Sequence, residues 1–362
     1  MNRQLIAYLA ALILLAALPA LGGYPIFIMK VMCYALFACA FNLLLGYTGL
    51  LFAALLAAPF VGAYPVFMMK LMCFALFAAA FNLLLGYTGL LSFGHAAFLG
   101  LAAYACGQSL TVWGWPTLGG LLFGTAAAGV LGLVFGLLSI RRSGIYFAMI
   151  TLALAQMQFF YFLQAPFTGG EDGLQGIPRG SILGLDLSQD INLYYVVLLI
   201  FVLGYALIWR TVHSPFGQVL KAIRENEPRM VSLGYDVDRF KLLAFVLSAT
   251  LAGLAGATKS LVFVSATLSD ATWQMSGTVI LMTLIGGMGT LTGPVLGAII
   301  VVALENKVGE FGRFLMQQTG IEWFRVLGES VTIVIGLIFI VCVLAFRRGI
   351  IGEWLAWRQK TG

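Results

Sequence analysis

The sequence predicts an all-α polytopic membrane protein, a bundle of about 10–12 transmembrane helices with both termini in the cytoplasm. Hydrophobic residues make up 61% of the 362 residues and charged residues only 9%, whereas a soluble domain carries about 25% charged residues. Apolar runs recur along the chain, and about 20 such residues are enough to cross a hydrocarbon layer of about 30 Å. The net charge of +6 fits membrane topology better than nucleic-acid binding, because no soluble domain is present to carry a basic face.

The N-terminal part contains a tandem repeat. An apolar run at residues 5–21 is interpreted as a retained helix. Residues 24–51 then recur at 64–91 with 23 of 28 positions identical, which indicates a recent or artefactual duplication. Because the repeated unit contains about two membrane segments, a further copy preserves the orientation of everything after it. The range of 10–12 spans depends on whether the first copy is counted.

The next segments are predicted to be closely packed spans. Residues 91–107 and the AGLAGA sequence at 252–257 are rich in small residues, which allow helices to approach closely in lipid. His95 is expected either to bond a neighbouring carbonyl or to line a pathway. Lys259 is expected to extend to the membrane surface. Further spans are predicted at residues 118–140, 145–163, 193–209, 242–262, 277–285, 295–304 and 331–346.

The loops define the predicted sidedness. Residues 165–190 form a Gly-rich acidic loop that alternation places outside, either as a solvated connector or as a docking surface for an extracytoplasmic partner. Residues 305–328 mix charged and aromatic side chains, which predicts a segment in the outer interface. With this topology 13 of 20 basic residues but only 5 of 14 acidic residues lie inside. The asymmetry supports cytoplasmic termini and one transmembrane domain over residues 1–362.

The polar stretch at residues 210–241 contains ten of the 34 charged residues of the chain. Ser214 is a candidate N-cap and Pro215 the first residue of a helix that continues to Arg224. A second short helix, at residues 227–233, is expected to end at Gly234. The alternative is an ordinary cytoplasmic loop with scattered basic residues. Two capped helices favour a structured cytoplasmic element that docks against a partner.

The sequence GGMGTLTGP at residues 286–294 interrupts the apolar pattern. Four glycines and a proline within nine residues break a helix. Such a break is either a tight cytoplasmic turn between two helices or a segment of irregular backbone that faces protein or a cavity.

No pattern indicates an enzyme. The five cysteines contain no CxxC pair, and the two histidines, His95 and His213, have no partner at ligand spacing. No catalytic constellation and no phosphate-binding GxxxxGK[ST] loop is present. We therefore expect no catalytic residue, no metal site and no cofactor.

Several stretches together resemble the permease subunits of branched-chain amino acid ABC importers. They occur in the family's order, and the chain departs from the family at residues 1–63, where two hairpins stand in place of one. The resembling stretches lie at residues 82–104, 143–156, 167–178, 214–257 and 284–298.

The resemblance implies a heteromeric importer in the bacterial cytoplasmic membrane. Its partners would be two ATPase subunits that use the ATP, a second related permease, an extracytoplasmic solute-binding protein and membrane lipid. Residues 214–234 would contain the coupling helix that docks into an ATPase subunit. The residues expected to carry coupling are Ser214, Gly217, Lys221, Ala222, Arg224, Glu225, Glu227 and Gly234.

An apolar zwitterionic amino acid requires backbone or side-chain dipoles for its carboxylate and an apolar path for its side chain. Urea or short-chain amide importers share the resembling stretches, so these substrates stay open. A gradient-driven secondary transporter would require paired ionisable groups, whereas Lys259 is the one clear charge within a predicted span. A channel would require a filter motif, which is absent. The candidate pathway residues are His95, Thr151, Gln156, Gly286, Gly287 and Gly289.

Overall fold

The fold is taken from a computed structural model that describes most of the chain after residue 63. The described residues are 55, 59, 64–182, 184–319, 336, 337, 340 and 349–353, with side chains as far as Asn306 in the last long helix. Apart from Leu55 and Pro59, they belong to one compact unit, Ala63–Gly362, which is distinct from Met1–Gly62. The predicted span at 5–21, the first repeat copy and nearly all of the last predicted span lie outside the described residues.

Helices dominate the described part of the chain. The α-helices are α1 Pro65–Thr88, α2 His95–Thr111, α3 Thr117–Ser139, α4 Ile145–Gln164, α5 Asp190–His213, α6 Pro215–Glu225, α7 Glu227–Ser232, α8 Val237–Phe263, α9 Trp273–Gly286 and α10 Gly293–Thr319. Four two-residue strands are β1 Leu174–Gln175, β2 Ser181–Ile182, β3 Leu185–Asp186 and β4 Ser265–Ala266. Short 3-10 helices cover Pro166–Thr168 and Leu268–Ala271.

Among the described residues, five helices are long and apolar enough to cross a membrane, namely α1, α3, α4, α5 and α8. The predicted all-α polytopic bundle is therefore confirmed. Helix α1 is the second copy of the repeat, and 94% of its most apolar 18-residue window is buried. Its neighbours are α5, α8, α9 and α10. A helix that is apolar on all sides fits such a central position.

Small residues allow the helices around α8 to approach closely. A Cβ atom at Gly256 would come within 2.1 Å of the Leu99 carbonyl oxygen, and one at Gly253 within 2.2 Å of the Ala128 Cβ. The predicted close packing of residues 252–257 is confirmed, because no larger side chain fits at these two positions without moving α2 or α3.

Helices α9 and α10 form a tight pair joined by the Gly-rich turn, residues 287–292. Helix α9 has 14 residues, so it is about 21 Å long and shorter than a hydrocarbon layer of about 30 Å. A Cβ atom at Gly297 would come within 1.7 Å of the Met282 carbonyl oxygen. Helix α10 continues through Glu305 to Thr319. The predicted span and the predicted interfacial segment that follows it thus belong to one helix as far as Thr319, and the location of the segment in the interface stays a prediction.

The loop predicted to be external has its own structure. Strand β1 pairs with β4, which follows α8, and β2 pairs with β3. The Arg179 guanidinium donates to the carbonyl oxygens of Leu261 and Val262 and pairs with Asp190 at 2.8 Å. These contacts hold the loop on the end of α8. Its predicted role in docking a partner stays a prediction.

Candidate functional site

The polar stretch folds as two capped helices, as predicted. The Ser214 hydroxyl accepts a hydrogen bond from the Gly217 N–H at 3.3 Å, which caps α6. Asn226 caps α7 in the same way by accepting from the Arg229 N–H at 3.1 Å. Gly234 has a φ of +87°, a left-handed conformation that glycine adopts readily, and it turns the chain towards α8. We call residues 214–241 the coupling segment.

The coupling segment has a small apolar core of its own. Ile223 of α6, Met230 of α7 and Val237 at the start of α8 are buried against one another. The core extends to Val219, Ala222 and Phe240. Because three successive helices share these contacts, the segment can move as a unit. The buried core excludes the alternative of an ordinary loop, which would have no such core.

Two further contacts hold the two short helices against the adjoining ends of the long helices α8 and α5. The Lys241 ammonium pairs with the Glu227 carboxylate at 2.6 Å, and the Lys241 side chain is only 4% exposed. Gly217 is packed at the corner between α5 and α6, where a Cβ atom would come within 2.4 Å of the Val212 carbonyl oxygen. The segment is therefore bound to α8 at one end and to α5 at the other.

The C-terminal end of α1 contacts the coupling segment directly. The Arg224 guanidinium donates a hydrogen bond to the Gly86 carbonyl oxygen. The Lys221 ammonium lies over the Tyr87 ring, 5.7 Å from its centroid, in a cation–π contact. These residues line a cleft of about 410 Å³ together with Glu225 and Gly289. Helix α6 is thus in direct contact with α1, the most buried of the five long apolar helices described.

Asn82 extends this connection to the Gly-rich turn. Its side-chain amide donates to the Thr290 carbonyl oxygen at 2.8 Å and accepts from the Gly289 N–H at 2.9 Å. The backbones of Gly86 and Gly289 are so close that a Cβ atom on Gly86 would lie 2.7 Å from the Gly289 nitrogen. These contacts attach the turn to α1. The interpretation of residues 286–294 as a tight turn between two helices is confirmed, and the cytoplasmic location of the turn stays a prediction.

The surface of the coupling segment includes residues that sequence reasoning missed. Val231, Leu233 and Tyr235 are 58%, 64% and 42% exposed, although the stretch around them is strongly polar. We call these three residues the apolar tip. For Val231 the signal was present in the sequence, because adjacent residues of a helix point in different directions, so a helix that buries Met230 turns Val231 away from the core. Leu233 lies beyond the end of α7, so helix periodicity does not predict its exposure. Neighbouring exposed apolar side chains form a candidate surface for a protein partner.

The predicted coupling residues divide into two groups. Ser214, Gly217, Ala222, Glu227 and Gly234 shape the segment through caps, core packing, an ion pair and a turn. The side chains of the other three, Lys221, Arg224 and Glu225, line the cleft beside α1. Their role in coupling to an ATPase stays a prediction.

His95, a predicted pathway residue, is enclosed by aromatic rings. The side chain has no exposed surface, and its ring lies 5.1–6.5 Å from the rings of Phe77, Phe81, Phe98 and Phe245. Its Nε2 atom is 2.8 Å from the Ser248 hydroxyl, which donates to the Ala80 carbonyl oxygen. The bond thus joins α2 to α8.

Thr151 and Gln158 form the buried polar stripe of α4. Thr151 accepts from the Phe93 N–H at 3.2 Å, and the Gln158 amide donates to the Ala97 carbonyl oxygen at 2.9 Å. The two residues are seven apart and therefore share one helix face. Gln156 lies off this face and is partly exposed. No described contact joins His95, Thr151 and Gln156 to Gly286, Gly287 or Gly289, and the pathway role of all six stays a prediction.

We expect replacement of Gln156 with Leu to lower uptake while leaving assembly intact, because a partly exposed amide in a span is retained where it meets water or substrate. Uptake into proteoliposomes and the yield of assembled complex test this. Met157 is 64% exposed on the same helix, so Met157→Leu is the matched control. Unchanged uptake in Gln156→Leu would remove this residue from the pathway.

Comparison with known proteins places these features in a family. Residues 66–343 match the family described as the permease component of branched-chain amino acid transport systems. This range includes α2–α10, the coupling segment and all of α1 except Pro65. No solved structure matches the chain.

Three curated relatives illustrate the similarity. The high-affinity branched-chain amino acid transport system permease protein LivM of Escherichia coli is 30% identical over 256 residues, and that of Salmonella typhimurium 29%, covering 63% of this chain and 59% of each relative. The fructose import permease protein FruG of Bifidobacterium longum is 30% identical over 171 residues, covering 45% of this chain and 44% of the relative. The alignment thus spans about three fifths of the length of the two amino acid permeases.

Proposed function

Because the chain belongs to the family of branched-chain amino acid transport permease components, we propose that it is the membrane permease subunit of an ABC importer for branched-chain amino acids. It spans the cytoplasmic membrane of a bacterium many times. Two ATPase subunits drive it, a second permease completes the membrane part, and an extracytoplasmic binding protein delivers the substrate. ATP is consumed by the partner subunits.

The coupling segment is the observation that carries this proposal. An ATPase can move a permease only through an element that contacts it in two different arrangements. The coupling segment suits this task because it has its own core, presents the apolar tip to the cytoplasm and contacts α1 through Arg224. A secondary transporter works without an ATPase subunit and therefore does not require a docking element of this kind.

The proposed substrate class is inferred from the names of the relatives. The curated proteins that align over the longest part of the chain are named for branched-chain amino acids. The similarity to a permease named for fructose import indicates that the fold accommodates other cargo, and urea or short-chain amides are the further alternatives. Specificity in such an importer is set first by the binding protein, so the identity of that partner decides among the substrates.

The proposal is tested by extracting the protein from native membranes in mild detergent and identifying the co-purifying proteins by mass spectrometry. We expect two ATPase subunits and a second permease, and the binding protein captured with them identifies the substrate. Recovery of the chain alone, together with gradient-driven uptake in liposomes, would contradict the proposal.

We expect the double variant Arg224→Ala, Glu225→Ala to uncouple ATP hydrolysis from uptake. The variant loses the hydrogen bond to the Gly86 carbonyl oxygen, so movement of α6 no longer displaces α1. Uptake should fall about tenfold, the effect of losing one hydrogen bond to a charged group, while the complex still assembles. Uptake and ATP hydrolysis are measured together in proteoliposomes.

The matched control is Arg229→Ala with Asp238→Ala. It removes the same charges from exposed positions of the coupling segment, neither of which lines the cleft beside α1. Normal ATP-driven uptake in both double variants would count against the assignment of Arg224.

A further inference from the structure

A buried ion pair lies at the opposite end of α8 from the coupling segment. The Lys259 ammonium pairs with the carboxylate of Asp270, which belongs to the 3-10 helix Leu268–Ala271. The two side chains are only 12% and 6% exposed. The expectation that Lys259 extends to the membrane surface is therefore wrong. Burying two charges costs several kcal/mol of desolvation each. A contribution to stability therefore does not by itself explain why both charges of this pair are buried.

Aromatic rings surround the pair. The Lys259 ammonium lies 5.3 Å from the centroid of the Phe74 ring and 5.7 Å from that of Phe263. Phe74 is buried, whereas Phe263 is 38% exposed. A cation over two aromatic faces is stabilised electrostatically, and the same rings offer an apolar surface to a neighbouring molecule. The ion pair is thus a small polar site next to two aromatic rings.

A third polar group of this cluster has no partner. The Tyr104 hydroxyl is buried without a hydrogen bond, and the residue is 1% exposed. Its helix, α2, packs against the 3-10 helix that carries Asp270. At this contact Gly100, one turn before Tyr104, lies against Ala271, the neighbour of Asp270. Buried hydroxyl groups are almost always hydrogen-bonded, so this unpaired hydroxyl is available to a ligand bound at the ion pair.

We propose that Lys259, Asp270 and Tyr104 form a subsite for the zwitterionic head of an apolar α-amino acid. The substrate carboxylate takes the place of Asp270 at the Lys259 ammonium and accepts a hydrogen bond from Tyr104. The substrate ammonium pairs with Asp270, and the apolar side chain lies against Phe74 and Phe263. The inference rests on the proposed function and adds to it the residues that recognise the substrate at the predicted outer end of the bundle.

The chemistry of the cluster distinguishes between substrate classes. When a zwitterion binds, its carboxylate pairs with Lys259 and its ammonium pairs with Asp270, so neither buried charge is left without a partner. A neutral substrate such as urea or a sugar supplies neither charge and would leave Lys259 and Asp270 paired with each other. A buried pair of opposite charges beside two aromatic rings therefore favours an amino acid over neutral substrates.

The test uses a leucine analogue with a photoreactive diazirine in its side chain. It is irradiated with the complete transporter complex in nanodiscs, and labelled peptides are mapped by mass spectrometry. We expect labelling of the peptides that contain Phe74 and Phe263, because the side chain of the probe lies against them. Excess leucine should suppress the label. Leucinamide, which lacks the carboxylate, and 4-methylpentanoate, which lacks the ammonium, should compete at least about tenfold more weakly, since each loses one charged interaction.

Two variants separate recognition from folding. Removing both charges with Lys259→Met and Asp270→Leu leaves no unpaired buried charge, so the complex should still assemble, yet labelling should fall at least about tenfold. Tyr104→Phe removes only an unsatisfied hydroxyl, so thermal stability should stay equal or rise, while labelling falls. The matched control is Lys70→Met. Lys70 also lies over Phe74, at 5.9 Å, but pairs with Glu305, so labelling should not change.

Full labelling in the assembled double variant, or equal competition by leucinamide and leucine, would overturn the subsite. ATP-driven leucine uptake by a wild-type complex that gives no label at these peptides would overturn the subsite and leave the proposed function standing. A wild-type complex that neither takes up nor binds leucine would overturn both.

Discussion

Replacement of Val231 and Leu233 with glutamate is expected to abolish ATP-driven uptake. Both side chains are more than half exposed at the apolar tip of the coupling segment, and they are available to an ATPase subunit. A carboxylate buried there without a partner costs several kcal/mol, and a loss of about 3 kcal/mol already lowers affinity about 100-fold. Co-purification of the ATPase subunits and uptake in proteoliposomes should be lost together.

The matched control lies between the two positions. Ser232 is exposed and its hydroxyl bonds only to the Pro228 carbonyl oxygen within α7. Ser232→Glu therefore introduces one carboxylate between the two positions but leaves the apolar tip intact, and uptake should stay near that of the wild type. If the double variant retains its ATPase subunits and transports normally, the apolar tip is not the docking surface.

The sequence was sufficient for the fold class and for the coupling segment because both depend on local physics. The long apolar runs predict spans through composition and length alone. The two short helices of the coupling segment were predicted from Ser214, Pro215 and Gly234, whose preferences for caps and turns act within a few residues. The structure begins the first helix at Pro215, as predicted, extends it by one residue to Glu225 and ends the second helix at Ser232, differences of the size expected for helix termini.

The contacts between distant segments could not be predicted in this way. Lys259 was expected at the membrane surface because its partner, Asp270, lies in a loop whose path back into the protein has no local signal. Asn82 likewise contacts residues more than 200 positions away. The Glu305 carboxylate is a further case, because its partner at 3.6 Å is Lys70 of α1, more than 200 positions earlier in the chain.

The pathway residues illustrate the same limit within one helix. Gln156 and Gln158 are both glutamines in an apolar span, and composition alone does not separate them. The spacing of seven between Thr151 and Gln158 places these two on one face, and the structure shows that this face is the buried one. His95 was left between two roles because its surroundings are formed by α1 and α8, which the sequence does not bring together.

Replacement of Asn82 with leucine is expected to disrupt both stability and transport. Leucine has a similar size but cannot donate to the Thr290 carbonyl oxygen or accept from the Gly289 N–H. Each backbone group that loses its buried partner costs about 1–3 kcal/mol, so the free energy of unfolding should fall by about 2–6 kcal/mol in total. Because the Gly-rich turn would no longer follow α1, ATP-driven uptake should fall with it. Thermal unfolding of the purified complex and uptake in proteoliposomes measure the two effects.

The repeat supplies the matched control for this substitution. Asn42 occupies the equivalent position of the first copy, within the same FNLLLGYTGLL sequence. Since α1 is formed by the second copy, Asn42→Leu should leave unfolding and uptake unchanged. The reverse result, a loss in Asn42→Leu and none in Asn82→Leu, would mean that the first copy occupies the central position of the bundle. Equal losses in both variants would mean that each copy makes contacts that transport requires, so the duplication would then be a working part of the protein.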